Sequence, residues 1–152
     1  MPKVSRSRVV AASPERVWRL VGDPEHLPRW WPRTVRVEDV RGSGRGSRWT
    51  TVLETDRGRP VRADFRCLSA ARSERYVWEQ EVEGTPFERI LRSLWLDVAL
   101  EGEGERTTVR LTSDESLRGL SRLGSPMMRA AARRRLDDAL DRIDLAVAGG
   151  PS

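Results

Sequence analysis

Tyr76, Gln80 and Arg92 are the polar side chains best placed to do chemistry, because each shares a strand phase with apolar residues. Tyr76 and Gln80 alternate with Trp78 on one phase, opposite Glu79 and Glu81. Arg92 falls in register with Ile90, Leu94, Leu96, Val98 and Leu100. In a pocket, a phenol, a carboxamide and a guanidinium could supply a general acid or base and an oxyanion partner. Arginine binds an enolate or carboxylate but is a poor proton donor, because it stays charged. So thin an inventory favours binding over catalysis, and no catalytic residue is assigned.

Other chemistries find less support. His26 is the sole histidine, which weakens any His-rich metal site or Ser–His–Asp triad, and its short helix reads as exposed. Cys67, the only cysteine, lies on the apolar phase of a strand and reads as a small buried hydrophobe. The glycines at 42–46 link two strands and do not open a helix, so no phosphate cradle or dinucleotide fingerprint is present. Asp137, Asp138 and Asp141 read as a solvated helix face. Neither a metal nor a cofactor is expected.

The elements that would position these residues follow from periodicity. Residues 4–12 alternate, with Ser5, Ser7, Val9 and Ala11 as the uncharged phase against Arg6 and Arg8. Ser13-Pro14-Glu15 opens a helix with a capping hydroxyl, a first-turn proline and an acid at the positive end of the dipole. Gly22 closes it as a residue tolerant of left-handed backbone. Asp23-Pro24-Glu25 opens a second short helix reaching Trp30 and Trp31. From Thr34 the period becomes two, with strands predicted at 34–41, 47–56, 60–70, 74–83, 87–101 and 105–115. A bulge is expected in 87–101, flipping the register part-way. Short Gly- and Pro-bearing turns between the strands imply an antiparallel meander.

A long helix closes the chain, predicted from about Leu117 to Val147, with a kink or break at Ser125-Pro126. Met128, Ala132, Leu136, Ala139, Leu140, Ile143 and Val147 recur at gaps of three and four and form one stripe. A helix of that length needs a long apolar partner, and the strands supply one. Residues 1–147 are expected to form a single domain, and 148–152 a fraying tail.

The face turned to this helix would combine Trp49, Phe65, Cys67, Tyr76, Trp78, Gln80 and Arg92 with Val109 and Leu111. Met127 and Met128 suit a malleable wall. Mostly apolar surface with a few donors is the character of a ligand pocket, although the same residues also suit a plain core. Gln80 and Arg92 either find partners there, line a wet cavity, or belong to the other phase.

Of the 152 residues, 38% are hydrophobic and 34% charged, a globular composition large enough for a proper core. No apolar run is long enough to span a membrane, and the N-terminus lacks a signal-peptide stretch. With a lone cysteine, this points to a cytoplasmic protein. The net charge of +5 comes from arginines scattered among acids, which argues against a nucleic-acid binder. A monomer or homodimer is compatible with all of this.

The order of strand, two short helices, six-strand meander and long helix resembles the helix-grip fold of the START-like, or SRPBCC, superfamily. The residues carrying the likeness run from Val9 to Trp18, then Asp23-Pro24, Leu27 to Pro32, and Thr107 to Leu111. Within the superfamily the chain looks most like the polyketide cyclase/dehydrase and lipid-transport group. The resemblance implies an α+β fold whose seven-stranded antiparallel sheet wraps the last helix, leaving a cavity between them with Trp30 near its mouth. It also implies a hydrophobic ligand such as a lipid or polyketide, and the thin acid–base inventory favours carrying or sensing it over changing it. The alternatives are a polyketide aromatase/cyclase or dehydratase, and a protein-interaction module anchored by Trp30 and Trp31.

Overall fold

The structure, a computed structural model, describes residues 3–55, 57–89, 91–117 and 125–148. Its strands are β1 (Lys3–Val10), β2 (Thr34–Arg41), β3 (Arg48–Glu54), β4 (Pro60–Ala71), β5 (Arg75–Gln80), β6 (Leu91–Glu103) and β7 (Arg106–Leu117). They form one antiparallel sheet in the order β1-β7-β6-β5-β4-β3-β2, so the meander runs in sequence and β1 joins it beside the last strand. The helices are α1 (Pro14–Val21), α2 (Leu27–Trp30) and α3 (Ser125–Ala148). α1 starts as its residues dictate: the Ser13 hydroxyl accepts from the Arg16 N–H, and Pro14 occupies the first turn.

α3 packs against β1, β7, α1 and α2. Ala132, Leu136, Ala139, Leu140, Ile143 and Val147 are buried along one stripe. Facing them are the buried side chains of the sheet, among them Phe65, Cys67, Tyr76, Trp78, Leu96, Val98, Val109 and Leu111. This is the expected helix-grip architecture. The other face of the sheet is laced with ion pairs, such as Arg48 with Glu81 at 2.7 Å and Arg62 with Glu38 at 3.0 Å. Hydrogen bonds from Arg62 and then Arg36 push the Glu38 carboxyl down to about 2.

Several expectations need correction. In β1 the inward phase is Val4, Arg6, Arg8 and Val10, while Ser5, Ser7 and Val9 are exposed. The arginines leave the strand on the helix side but keep their charged ends at the surface: Arg6 reaches Asp137 at 2.9 Å and Arg8 pairs with Asp141, so β1 is tied to the polar flank of α3. Leu117 ends β7, and α3 is described from Ser125, at the Ser-Pro start signal. The stretch 118–124, expected to be helical, lies outside the described residues. The second short helix is a 3₁₀ turn, Pro24–His26, that leads into α2. Val35 is 48% exposed, because irregular pairing with β3 on both sides of Arg36–Glu38 shifts the phase of β2.

Two glycines are required by crowding. Gly22 has φ −86°, not a left-handed value, and a Cβ there would stand 2.6 Å from Cε2 of Trp18. At Gly102 a Cβ would stand 2.3 Å from Cγ of Pro14, where α1 begins against β6.

Candidate functional site

The aromatic side chains brought inward by β3, β4, β5 and α2 converge on Trp78. Its ring centroid lies 5.7 Å from Trp30, 5.8 Å from Trp31, 5.9 Å from Trp49, 6.1 Å from Tyr76 and 6.2 Å from Phe65. On one side this cluster is solid core. On the other it faces a cavity of about 390 Å³ at the end of the grip where Arg135 of α3 comes over the sheet. Trp31, Pro32, Leu53, Val61, Phe87 and Leu94 line the cavity, together with Phe65, Trp78 and the Gln80 side chain.

The expected site residues therefore separate. Phe65, Trp78 and Gln80 line the cavity. Trp30 is fully buried behind it and is not at a mouth. Trp49 stacks on Phe65 within the core, and Cys67 and Tyr76 are buried beside it. Arg92 is exposed: the expected bulge falls between Leu91 and Ser93, and Arg92 joins a depression edged by Arg48, Arg66 and Glu79. Met127 is 77% exposed and Met128 half-buried, and neither lines the cavity. His26 bonds through Nδ1 to the Arg19 carbonyl at 2.8 Å, away from this site.

Of the four charged residues that line the cavity, Arg33, Glu54, Glu115 and Arg135, none figured in the sequence reading of the site, and two of them form an ion pair. Glu115 of β7 and Arg135 of α3 meet across the cavity, with Nη1 3.6 Å from Oε2. Both were legible by spacing. Glu115 continues the inward phase of Val109, Leu111 and Ser113, and Arg135 lies three residues after Ala132 and four before Ala139. Gln80 is 8% exposed, and its Nε2 has no hydrogen-bond partner among the described residues. An unmet buried donor of this kind costs about 1–3 kcal/mol. At the rim, Arg33 holds a left-handed backbone, φ 63°, fixed where its carbonyl accepts from the Glu54 N–H at 2.9 Å. A non-glycine residue held this way costs on the order of 1–3 kcal/mol and is over-represented at functional sites.

Tyr76 does not suit the proton-transfer part considered for it. It lies inside the aromatic core, and burial first, then the neighbouring Cys67, pushes its phenol well above the ordinary 10.0. Burial likewise raises the Cys67 thiol above 9.0. The unfolded chain would lose both protons at lower pH than the folded one. Stability from these groups is complete below pH 9.0 and falls as pH rises through their ordinary values. Tyr76 is the only tyrosine, so phenolate absorbance reports it alone. The signal should appear together with loss of tertiary circular dichroism in an alkaline titration. Ionisation at an ordinary phenol pH in a folded protein would contradict the burial argument.

A family model described as polyketide cyclase / dehydrase and lipid transport matches residues 1–148. The chain belongs to this family. Similar solved structures include a START superfamily protein from Mycobacterium smegmatis, with TM-score 0.77, 18% identity and 97% of each chain covered. The ZhuI aromatase/cyclase from Streptomyces sp. R1128 superposes with TM-score 0.76 at 19% identity, covering 96% of this chain and 93% of that one. The di-domain ARO/CYC BexL of the BE-7585A biosynthetic pathway gives TM-score 0.77 at 21% identity, covering 99% of this chain and 48% of that one. At these identities the likeness shows the fold. No curated protein matches the chain in sequence. Among the described residues, no three His, Cys, Asp or Glu side chains gather to hold a metal, and no helix is long and apolar enough to cross a membrane.

Proposed function

We propose that the protein binds a mainly apolar small molecule in the cavity between sheet and α3, and carries or senses it without changing it. The observation that carries this reading is the cavity itself: about 390 Å³, walled by Trp31, Leu53, Phe65, Trp78, Phe87 and Leu94, with the unpaired Gln80 donor beside them. Small-molecule sites of ~300–1,000 Å³ share this make-up of apolar walls and few oriented polar groups.

Native mass spectrometry of the purified protein, together with a tryptophan-fluorescence titration with dodecanol, tests the reading. Trp31 and Trp78 line the cavity, so a bound chain should change their emission saturably. Leu94→Trp, which fills the cavity from β6, should abolish that change. The proposal fails if no small molecule is retained and dodecanol gives no saturable signal.

The aromatase/cyclase alternative rests on Glu115 and Arg135 meeting across the cavity near Gln80. A carboxylate to take a proton and donors for an enolate oxygen are what such chemistry needs. Turnover of a poly-β-ketone chain that is lost in Glu115→Gln would replace the carrier reading. The interaction-module alternative loses its anchor, because Trp30 is fully buried and Trp31 faces the cavity.

A further inference from the structure

We infer that the cavity's ligand is an anionic amphiphile, its chain held in the apolar cavity and its carboxylate or phosphate head in an arginine-lined cleft at the rim. This rests on the cavity being a binding site, as proposed above.

A second depression, of about 560 Å³, adjoins the cavity and shares Pro32, Arg33 and Arg135 with it. The cleft adds Arg134 and Arg142, and small Ala131 leaves it open. The acids nearby are already engaged or turned aside. Asp138 takes Arg142 at 3.4 Å, and Glu115 takes Arg135 at 3.6 Å. The Glu54 carboxylate lies against the turn at Gly58, where a Cβ would stand 3.4 Å from its Oε1. Arg134 is exposed and has no ion pair or hydrogen bond among the described residues. Four arginines and one acid, Asp138, line the cleft; with Arg142 on Asp138, Arg135 on Glu115 and Arg33 on the Glu54 carbonyl, the exposed Arg134 is the guanidinium it offers beside the apolar cavity.

The chemistry of the two halves differs in the way an amphiphile's two ends do. Carboxylate and phosphate oxygens match guanidinium forks, and charge-assisted bonds of this type outweigh neutral ones. A wholly apolar ligand would leave Arg134 unused, whereas a small free anion would leave the aromatic cavity empty. The left-handed backbone of Arg33 fits the same picture, since it fixes that residue where the two spaces join.

The test compares dodecanol, dodecanoate and dodecyl phosphate, each below its aggregation concentration, by tryptophan fluorescence at low and high salt. The anions should bind roughly tenfold more tightly than the alcohol at low salt. Added salt should shrink that gap. The tighter of the two anions identifies the head group. Arg134→Glu should erase the gap while leaving dodecanol affinity unchanged, with Arg134→Gln intermediate. Equal binding of alcohol and anions by the natural protein would overturn the anionic head and leave the apolar site standing. A gap that survives Arg134→Glu would overturn the arginine cleft as its source. If none of the three saturates, the binding site itself is refuted and the inference falls with it.

Discussion

Trp78→Ala should lower the unfolding free energy by about 3–5 kcal/mol, the largest single loss expected in this protein. Trp78 is 2% exposed and lies within about 6 Å, centroid to centroid, of five other rings. Those rings come from α2 or its C-terminal end, from β3 and β4, and from β5 itself, so one truncation loosens the contact between the short helices and the sheet. Collapse cannot fill the space, because the flanking β4 and β6 are locked to β5 by backbone pairing. The void would also merge with the ligand cavity, since Trp78 is part of its lining. Domains of this size hold only about 5–15 kcal/mol in total, so the variant should be marginal. Urea unfolding followed by far-UV circular dichroism should show a much lower midpoint with an unchanged slope. A loss below about 1 kcal/mol would mean that the ring cluster is not the packing centre assigned to it.

That centre was visible in the sequence because period-two alternation is a strong signal wherever one face is wholly charged. Trp49, Phe65, Cys67, Tyr76 and Trp78 all came out on the buried side. The stripe on α3 was equally legible, since gaps of three and four tolerate no other fold of those residues. The failures have local physical causes. β1 was assigned the wrong phase because Arg6 and Arg8 looked like solvent residues. Their charges are met by Asp137 and Asp141, more than a hundred positions away, and a strand's own alternation cannot reveal that. Arg92 was placed inward because the bulge was foreseen but its position was not. A shift between Leu91 and Ser93 is enough to turn the side chain out.

The cavity's own residues show the other limit. Arg135 sits in a run of three arginines and reads as surface, although its spacing from Ala132 and Ala139 puts it on the helix stripe. Composition outweighed periodicity there. Phe87 was read as the start of a strand but lies in a 3₁₀ turn, Pro86–Arg89, and Trp31 sits in the link after α2, where no period holds. Which side chains surround a hollow depends on where the sheet opens from the helix, a tertiary fact that no strand or helix states alone.

Gln80→Leu should change stability and binding in opposite directions. Gln80 stands at the end of β5 with 8% exposure, and its Nε2 lacks a partner among the described residues. Replacing it with an apolar side chain of similar volume removes the unmet donor, so the ligand-free protein should gain about 1–3 kcal/mol. A chain carrying a mid-chain ketone can accept from Nε2, whereas plain dodecanoate cannot. The keto acid should therefore lose roughly tenfold in affinity on Gln80→Leu while dodecanoate is unaffected. This is the pattern of a group kept for recognition at the expense of stability. Urea midpoints and paired fluorescence titrations read both effects in one variant. A fall in stability would mean that Nε2 is already bonded, for instance through an enclosed water, and serves the core. A gain in stability with no change for either ligand would leave Gln80 a tolerated defect and move the recognition of polar ligand groups to Glu115 and Arg135, the other polar pair on the cavity wall.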